Sequence, residues 1–154
     1  MTDLNPKMRR EAVAAAVFNL VDAAARTVLE IKTSSRRLRS PDSVANSQCP
    51  ALFMVQIVDE ESRSVIGLPA SRSLKYEFWI YTVDPQVDSA IPAQQLNNVV
   101  DAVEAAMAPS PLTGQLTLGG LVLSCRIDGT IEFYENATQD GKSIVAIPVT
   151  VLIP

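Results

Sequence analysis

At 154 residues, with 47% hydrophobic and 19% charged positions, the chain has the size and composition of one globular domain with its own core. A formal net charge of −4 argues against a nucleic-acid binder of the usual basic kind, and the absence of histidine removes Ser-His and Cys-His relays and the common zinc ligands. No apolar run reaches the roughly 18 residues of a membrane span, and two cysteines supply neither a disulfide framework nor a zinc site.

The charge is unevenly spread: residues 1–50 hold eight Lys/Arg and five Asp/Glu, whereas 51–154 hold five and twelve. The first residues lack the basic-then-apolar pattern of a signal peptide. The expectation is therefore a chain made and folded in cytoplasm, where Cys49 and Cys125 stay as thiols.

Asn5-Pro6 is a helix-start signal, and Val13, Val17, Leu20, Val21, Ala24 and Val28 then recur at helical spacing. This predicts an amphipathic helix whose alanine-rich face packs closely on a sheet or another helix. A membrane-surface helix would carry bulkier apolar residues and more Lys/Arg. From Leu29 the pattern alternates through Ile31 and Thr33, as in a strand, and leads into Arg36, Arg37 and Arg39. Those arginines are either a solvated strand end or a contact for a phosphate or an acidic partner surface.

Residues 40–50 are loop by composition, closed by Pro50, and Ala51 to Val58 is a short apolar strand. Residues 59–73 contain Gly67 and Pro69 and are expected to project from the sheet as a hairpin or extended loop. Next, Leu74, Tyr76, Phe78 and Ile80 make a core-facing row, while Lys75, Glu77, Trp79 and Tyr81 point the other way. Two large aromatics among charges suit a face that is half covered, or covered by a second subunit. Pro92 opens a second helix with Leu96, Val99, Val100, Val103 and Met107 on one side, and Pro109 and Pro111 end it.

After the turn at Gly119-Gly120, the odd positions Leu121, Leu123, Cys125, Ile127, Ile131 and Phe133 alternate with polar residues, as in a half-buried strand. Gly129 marks a bend that makes this one bent strand or two. A polar turn over 136–141 precedes the nearly unbroken apolar run Ser143 to Ile153, expected to be covered on both faces. Pro148 places that strand at an edge or at a bulge, because proline donates nothing to the ladder. The element order predicts a single two-layer α+β domain over 1–154, two main helices on a mixed or antiparallel sheet, for which a ferredoxin-like winding is one arrangement.

No catalytic constellation is visible. Asp128 and Glu132, if both stand in one strand, are about 13 Å apart along it, too far for a carboxylate pair. Asp59-Glu60-Glu61 lacks the spacing of an EF-hand loop, and Gly119-Gly120 fits neither phosphate-binding glycine pattern. No catalytic residue, cofactor or metal is expected.

Several segments, in their order and spacing, resemble the tail terminator, or tail completion, proteins of long-tailed bacteriophages. They are Ser35-Arg36-Arg37-Leu38-Arg39, Gln48 to Gln56, Leu74 to Tyr81, Leu96 to Ala102, Leu118 to Val122, Arg126-Ile127-Asp128-Gly129 and Ile147 to Val151. The resemblance implies a virion subunit that forms a hexameric ring on the head-proximal end of the tail tube, stops tube polymerisation and offers a surface for head-tail joining. It implies as partners further copies of itself, the tail-tube protein and a head-completion or neck (stopper) protein, with DNA passing through the lumen without sequence-specific binding and no membrane involved. A ring of this kind needs two different complementary patches per subunit, which fits the basic first third and the acidic remainder. Arg36, Arg37, Arg39, Glu60, Arg63, Trp79 and Tyr81 are the expected interface residues. The alternatives are another neck or tail ring component of the virion, or a ferredoxin-like small enzyme or ligand-binding domain.

Overall fold

The computed structural model describes residues 9–62, 67, 71–87 and 89–154. Its elements run α1 (Arg9–Arg26), β1 (Thr33–Ser35), β2 (Ala51–Ser62), β3 (Ser71–Val83), α2 (Ala93–Ala106), β4 (Ser124–Ile127), β5 (Glu132–Tyr134) and β6 (Lys142–Ile153). The strands form one mixed sheet in the order β1-β2-β3-β6-β4, with β5 beside β4 along the same edge of β6. Only the β1–β2 pair is parallel; the others are antiparallel. The chain is thus an α+β domain, as its element order predicts.

Both helices lie on one face of the sheet. Val13, Val17, Val21 and Ala25 of α1, spaced by four, share a core with Leu96, Val99, Val100 and Val103 of α2. Beneath them are Leu52 and Met54 of β2, alternate residues of β3 from Leu74 to Ile80, and alternate residues of β6 from Val145 to Ile153. The five β6 side chains in that row are at most 2% exposed, and burying each contributes roughly 1.5–3 kcal/mol. The predicted start of α1 at Asn5-Pro6 lies outside the described residues. Its stripe stops short of Val28, which is 44% exposed because the helix has already ended at Arg26.

A second, smaller core occupies the opposite face. Residues 36–50, with short 3-10 turns at Pro41–Ser43 and Asn46–Gln48, bring Val44 and Cys49 onto Ala51, Phe53, Tyr81 and Ile144. This cover reaches only one end of the face.

In the last third the segment from Leu121 to Phe133 is two strands and not one bent one, both shorter than the alternation suggests. Alternation holds from Cys125 to Ile127, but β4 has four residues and β5 three. Gly129 separates them with φ +114°, a backbone region that side-chain-bearing residues seldom enter. Leu123 and Phe133, expected in the core row, are 46% and 41% exposed. Leu123 precedes β4, and Phe133 stands on a three-residue strand at the outer margin of the sheet.

β6 is interior, so Pro148 does not mark an edge. It sits opposite the break between β4 and β5, where the Pro148 carbonyl accepts the Asp128 N–H at 3.1 Å. A strand residue's N–H and C=O point to the same side, so the donor that proline lacks would have faced this break and not the continuous β3 ladder.

The β2–β3 hairpin is longer than composition suggests. Pairing runs from Ala51↔Tyr81 to Ser62↔Ser71, with a register shift that leaves Ile57 unpaired. Asp59 to Ser62 are therefore strand, and Arg72 and Ser73 also pair with the end of β6. Most of the connection between the two strands, including Arg63, lies outside the described residues.

Candidate interaction surfaces

Three groups of side chains stand at or beside the margins of the cores. At the basic corner, the Arg36 guanidinium is paired with Glu11 of α1 by two hydrogen bonds, one of 3.2 Å from Nη2 to Oε2. That hydrogen bond holds the Glu11 carboxyl below the usual carboxylate range. Arg39 donates from Nη2 to the Ser43 carbonyl at 2.6 Å, and its own carbonyl accepts the Tyr81 hydroxyl at 2.7 Å. Arg37 differs: its backbone N–H bonds the Ser35 hydroxyl at 3.0 Å, while its side chain is exposed with no partner among the described residues. The sequence placed these three arginines together; the fold occupies two of them within the chain.

The second group ties the hairpin to α1. Asp59 on β2 accepts Nε–H of Arg10 from α1 at 2.6 Å and Nε–H of Arg72 from β3 at 2.7 Å. The two arginines hold its carboxyl below the ordinary range. One carboxylate thus joins three elements. The neighbouring Glu60 is exposed on the strand.

The third group is the open part of the face away from the helices. Trp79 and Tyr81 share that face, as their spacing requires, but their environments differ. Tyr81 is 1% exposed, packed on Phe53 with ring centroids 5.3 Å apart and sealed by the 36–50 loop, and its burial pushes the phenol up to about 12. Of the covers open to this face, Tyr81 has one supplied by its own chain. Trp79 is only partly covered and lies nearly parallel to Tyr134 of β5, at 8° with centroids 6.2 Å apart. The Tyr134 hydroxyl donates to Glu132, and this bond raises the phenol's pKa.

A fourth arrangement has no counterpart in the sequence reading. Lys142, at the first position of β6, has a fully buried side chain whose ammonium pairs with Asp140, while the Asp140 carbonyl accepts Asn46 Nδ2 at 2.9 Å. Beside it, the buried Ser143 hydroxyl donates to Asp84 and accepts the Asn136 N–H at 3.0 Å. Together these bonds pin the 136–141 turn to the 36–50 loop and to the end of β3. The only sequence signal is a lone lysine opening an apolar run.

The chemistry available is limited. Among the described residues no three His, Cys, Asp or Glu side chains gather to hold a metal. Both cysteines are free and buried, Cys49 in the smaller core and Cys125 under the helices. Burial raises both thiols, that of Cys125 to about 12. No helix of the described residues is long and apolar enough to cross a membrane.

No family model and no curated protein matches the sequence. The fold does match solved structures. A chain from the virion of a native gene transfer agent particle superposes with a TM-score of 0.52, covering 90% of this chain and 92% of that one at 8% identity. A second solved protein covers 92% and 94% at 17% identity, with a TM-score of 0.50. The fold is shared almost end to end.

Proposed function

We propose that this chain is a structural virion protein of the tail-terminator type. It forms a six-membered ring on the head-proximal end of a tail tube, ends the tube's growth and presents a surface to the neck. The observation that carries this reading is the near full-length likeness of fold to a chain of a gene transfer agent virion. The more specific position in the particle is proposed on the segments from Ser35 to Val151 that resemble tail terminators.

Further support comes from the surface. A closed ring of identical subunits joins two different patches of each copy, so the patches must be complementary without being the same. The basic first third and acidic remainder meet that requirement, as does the exposed Arg37 on one side against the partly open Trp79 face on the other. The role proposed is assembly and not catalysis: the conspicuous polar groups, Asp59, Arg36 and Lys142, are committed to joining elements of the fold. The lumen would pass DNA without gripping it, in keeping with the net charge.

The test is tube length. Tail-tube subunits polymerised with and without this protein are measured by negative-stain electron microscopy. The proposal expects a ring of extra density at one end and a bounded length distribution. Tubes that grow unbounded and uncapped with the protein present overturn it. Uncapped tubes that nevertheless acquire this protein through a head-completion complex assign it to another neck component instead.

A further inference from the structure

We propose that Trp79, Tyr134, Glu77 and Glu132 form a receptor for an arginine side chain, and that the arginine seated there is Arg37 of a second copy of this chain. The proposal rests on the ring reading above and names the surfaces that join neighbouring subunits.

The strand register builds the receptor. Trp79 on β3 and Glu132 on β5 are both cross-strand partners of Ala146 on β6, so the three form one row on one face. Glu77 and Tyr134 lie two residues along their strands from Trp79 and Glu132, and therefore share that face. The floor between the rings is the small side chain of Ala146, with Pro148 next along β6. Glu132 is fixed by the Tyr134 hydroxyl, and Glu77 lies near enough to add to the negative potential at that phenol. Neither carboxylate is in an ion pair among the described residues; the cations that share the face, Lys75 and Arg126, both stand in the row of Thr150, one row beyond Glu77 and two beyond Glu132, and Arg126 pairs with Asp128 at 3.7 Å.

Two acids beside two large rings fit a guanidinium better than an ammonium. A guanidinium is flat enough to stack on Trp or Tyr while its edge donates two parallel hydrogen bonds to a carboxylate, whereas a lysine meets the site only as a point charge. Of the three arginines at the basic corner, Arg36 is held by Glu11 and Arg39 by the Ser43 carbonyl, which leaves Arg37 as the one to donate elsewhere. Arg37 belongs to the basic third of the sequence and the receptor to the acidic remainder. Donor and receptor are different patches of the same subunit, so each copy both gives and receives, the head-to-tail relation from which rings are built.

Trp79 is the only tryptophan, so its emission reports on the receptor directly. Native mass and iodide quenching of Trp79 are followed over a concentration series, alone and with tail-tube subunits, for wild type, Arg37→Glu, Glu132→Arg and the double variant. The expected result is protection of Trp79 as the mass rises. Each single variant should raise the midpoint concentration about tenfold or more, and the double variant should recover most of that loss, since close interfacial charge pairs couple by at least this much. A ring that forms in every variant at the wild-type midpoint, with Trp79 equally quenched, overturns the receptor and leaves the ring reading standing. A protein that stays monomeric with and without tubes overturns both. Protection of Trp79 that appears only with tube subunits, without self-association, assigns the receptor to the tube and overturns its pairing with a second copy.

Discussion

Replacing Asp59 by asparagine removes the charge at the point where α1, β2 and β3 meet, while keeping the shape and one acceptor. The wild-type carboxylate receives charge-assisted hydrogen bonds from Arg10 and Arg72 at 2.6 and 2.7 Å, with its side chain 26% exposed. Ion pairs this open to solvent contribute roughly 0.2–1 kcal/mol each, so the expected loss is about 1 kcal/mol in all. For a chain of 154 residues this corresponds to a fall of about 2–4 °C in Tm. The pH dependence follows from the lowered carboxyl pKa. A group whose folded pKa lies below its unfolded value contributes stability that is full above the unfolded value and is lost as pH falls through the folded one. Thermal denaturation of wild type and Asp59→Asn at pH 7 should therefore show the difference, which should close in acid well below the ordinary Asp value of 3.8. It should also shrink in 1 M salt, where the screening length is about 3 Å. A Tm difference that is the same at pH 7 and at pH 2.5 would refute the electrostatic account and make Asp59 a packing residue.

Other substitutions test the core and the loop latch. Ile147→Ala, in the fully buried row of β6, should cost roughly 2–5 kcal/mol in chemical denaturation, whereas Ile127→Ala, only partly covered at the end of β4, should cost less than about 2; equal losses would mean that β4 is as deeply packed as β6. Asp140→Ala leaves the Lys142 ammonium buried without its carboxylate and should lower the denaturation midpoint, and adding Lys142→Met should restore it. A double variant no more stable than Asp140→Ala would contradict the latch. In the native protein neither Cys49 nor Cys125 should react with a thiol reagent at neutral pH, and both should react in denaturant, because each is at most 3% exposed and its pKa is raised.

Elements whose own residues carry the pattern were legible in the sequence. The α2 stripe from Leu96 to Val103, the β3 row from Leu74 to Ile80 and the apolar run of β6 all lie where periodicity puts them. The segment from Leu121 to Phe133 was legible only in its break at Gly129, because alternation states which side a strand would bury without ensuring that it has a long partner or a cover. Gly129 interrupts this segment, and Leu123 and Phe133 fall outside the cover that the helices provide. Pro148 was misleading for a related reason: its missing donor is tolerated inside the sheet because the neighbouring strand breaks at that point.

The surfaces show the same division. Parity put Trp79 and Tyr81 on one face, but only the path of residues 36–50 decides that Tyr81 is sealed and Trp79 partly open. The clustering of Arg36, Arg37 and Arg39 was plain, yet which of them stays available depends on Glu11, which is 25 residues from Arg36 in sequence. Lys142 fell between the 136–141 turn and the run from Ser143 and carried no expectation, because nothing local marks the contact of Asn46 with Asp140 that closes the loop over it. Long-range pairing is what local pattern does not carry.

The account turns on whether this chain assembles as a ring that belongs with a tail tube. The most direct measurement is the native mass of the purified protein across a concentration series, alone and with tail-tube subunits. The prediction is a six-fold species of about 100 kDa, from subunits of 16.6 kDa, formed by the free protein or on the addition of tubes. A stable two-fold dimer, unchanged in mass when tubes are added, would contradict it.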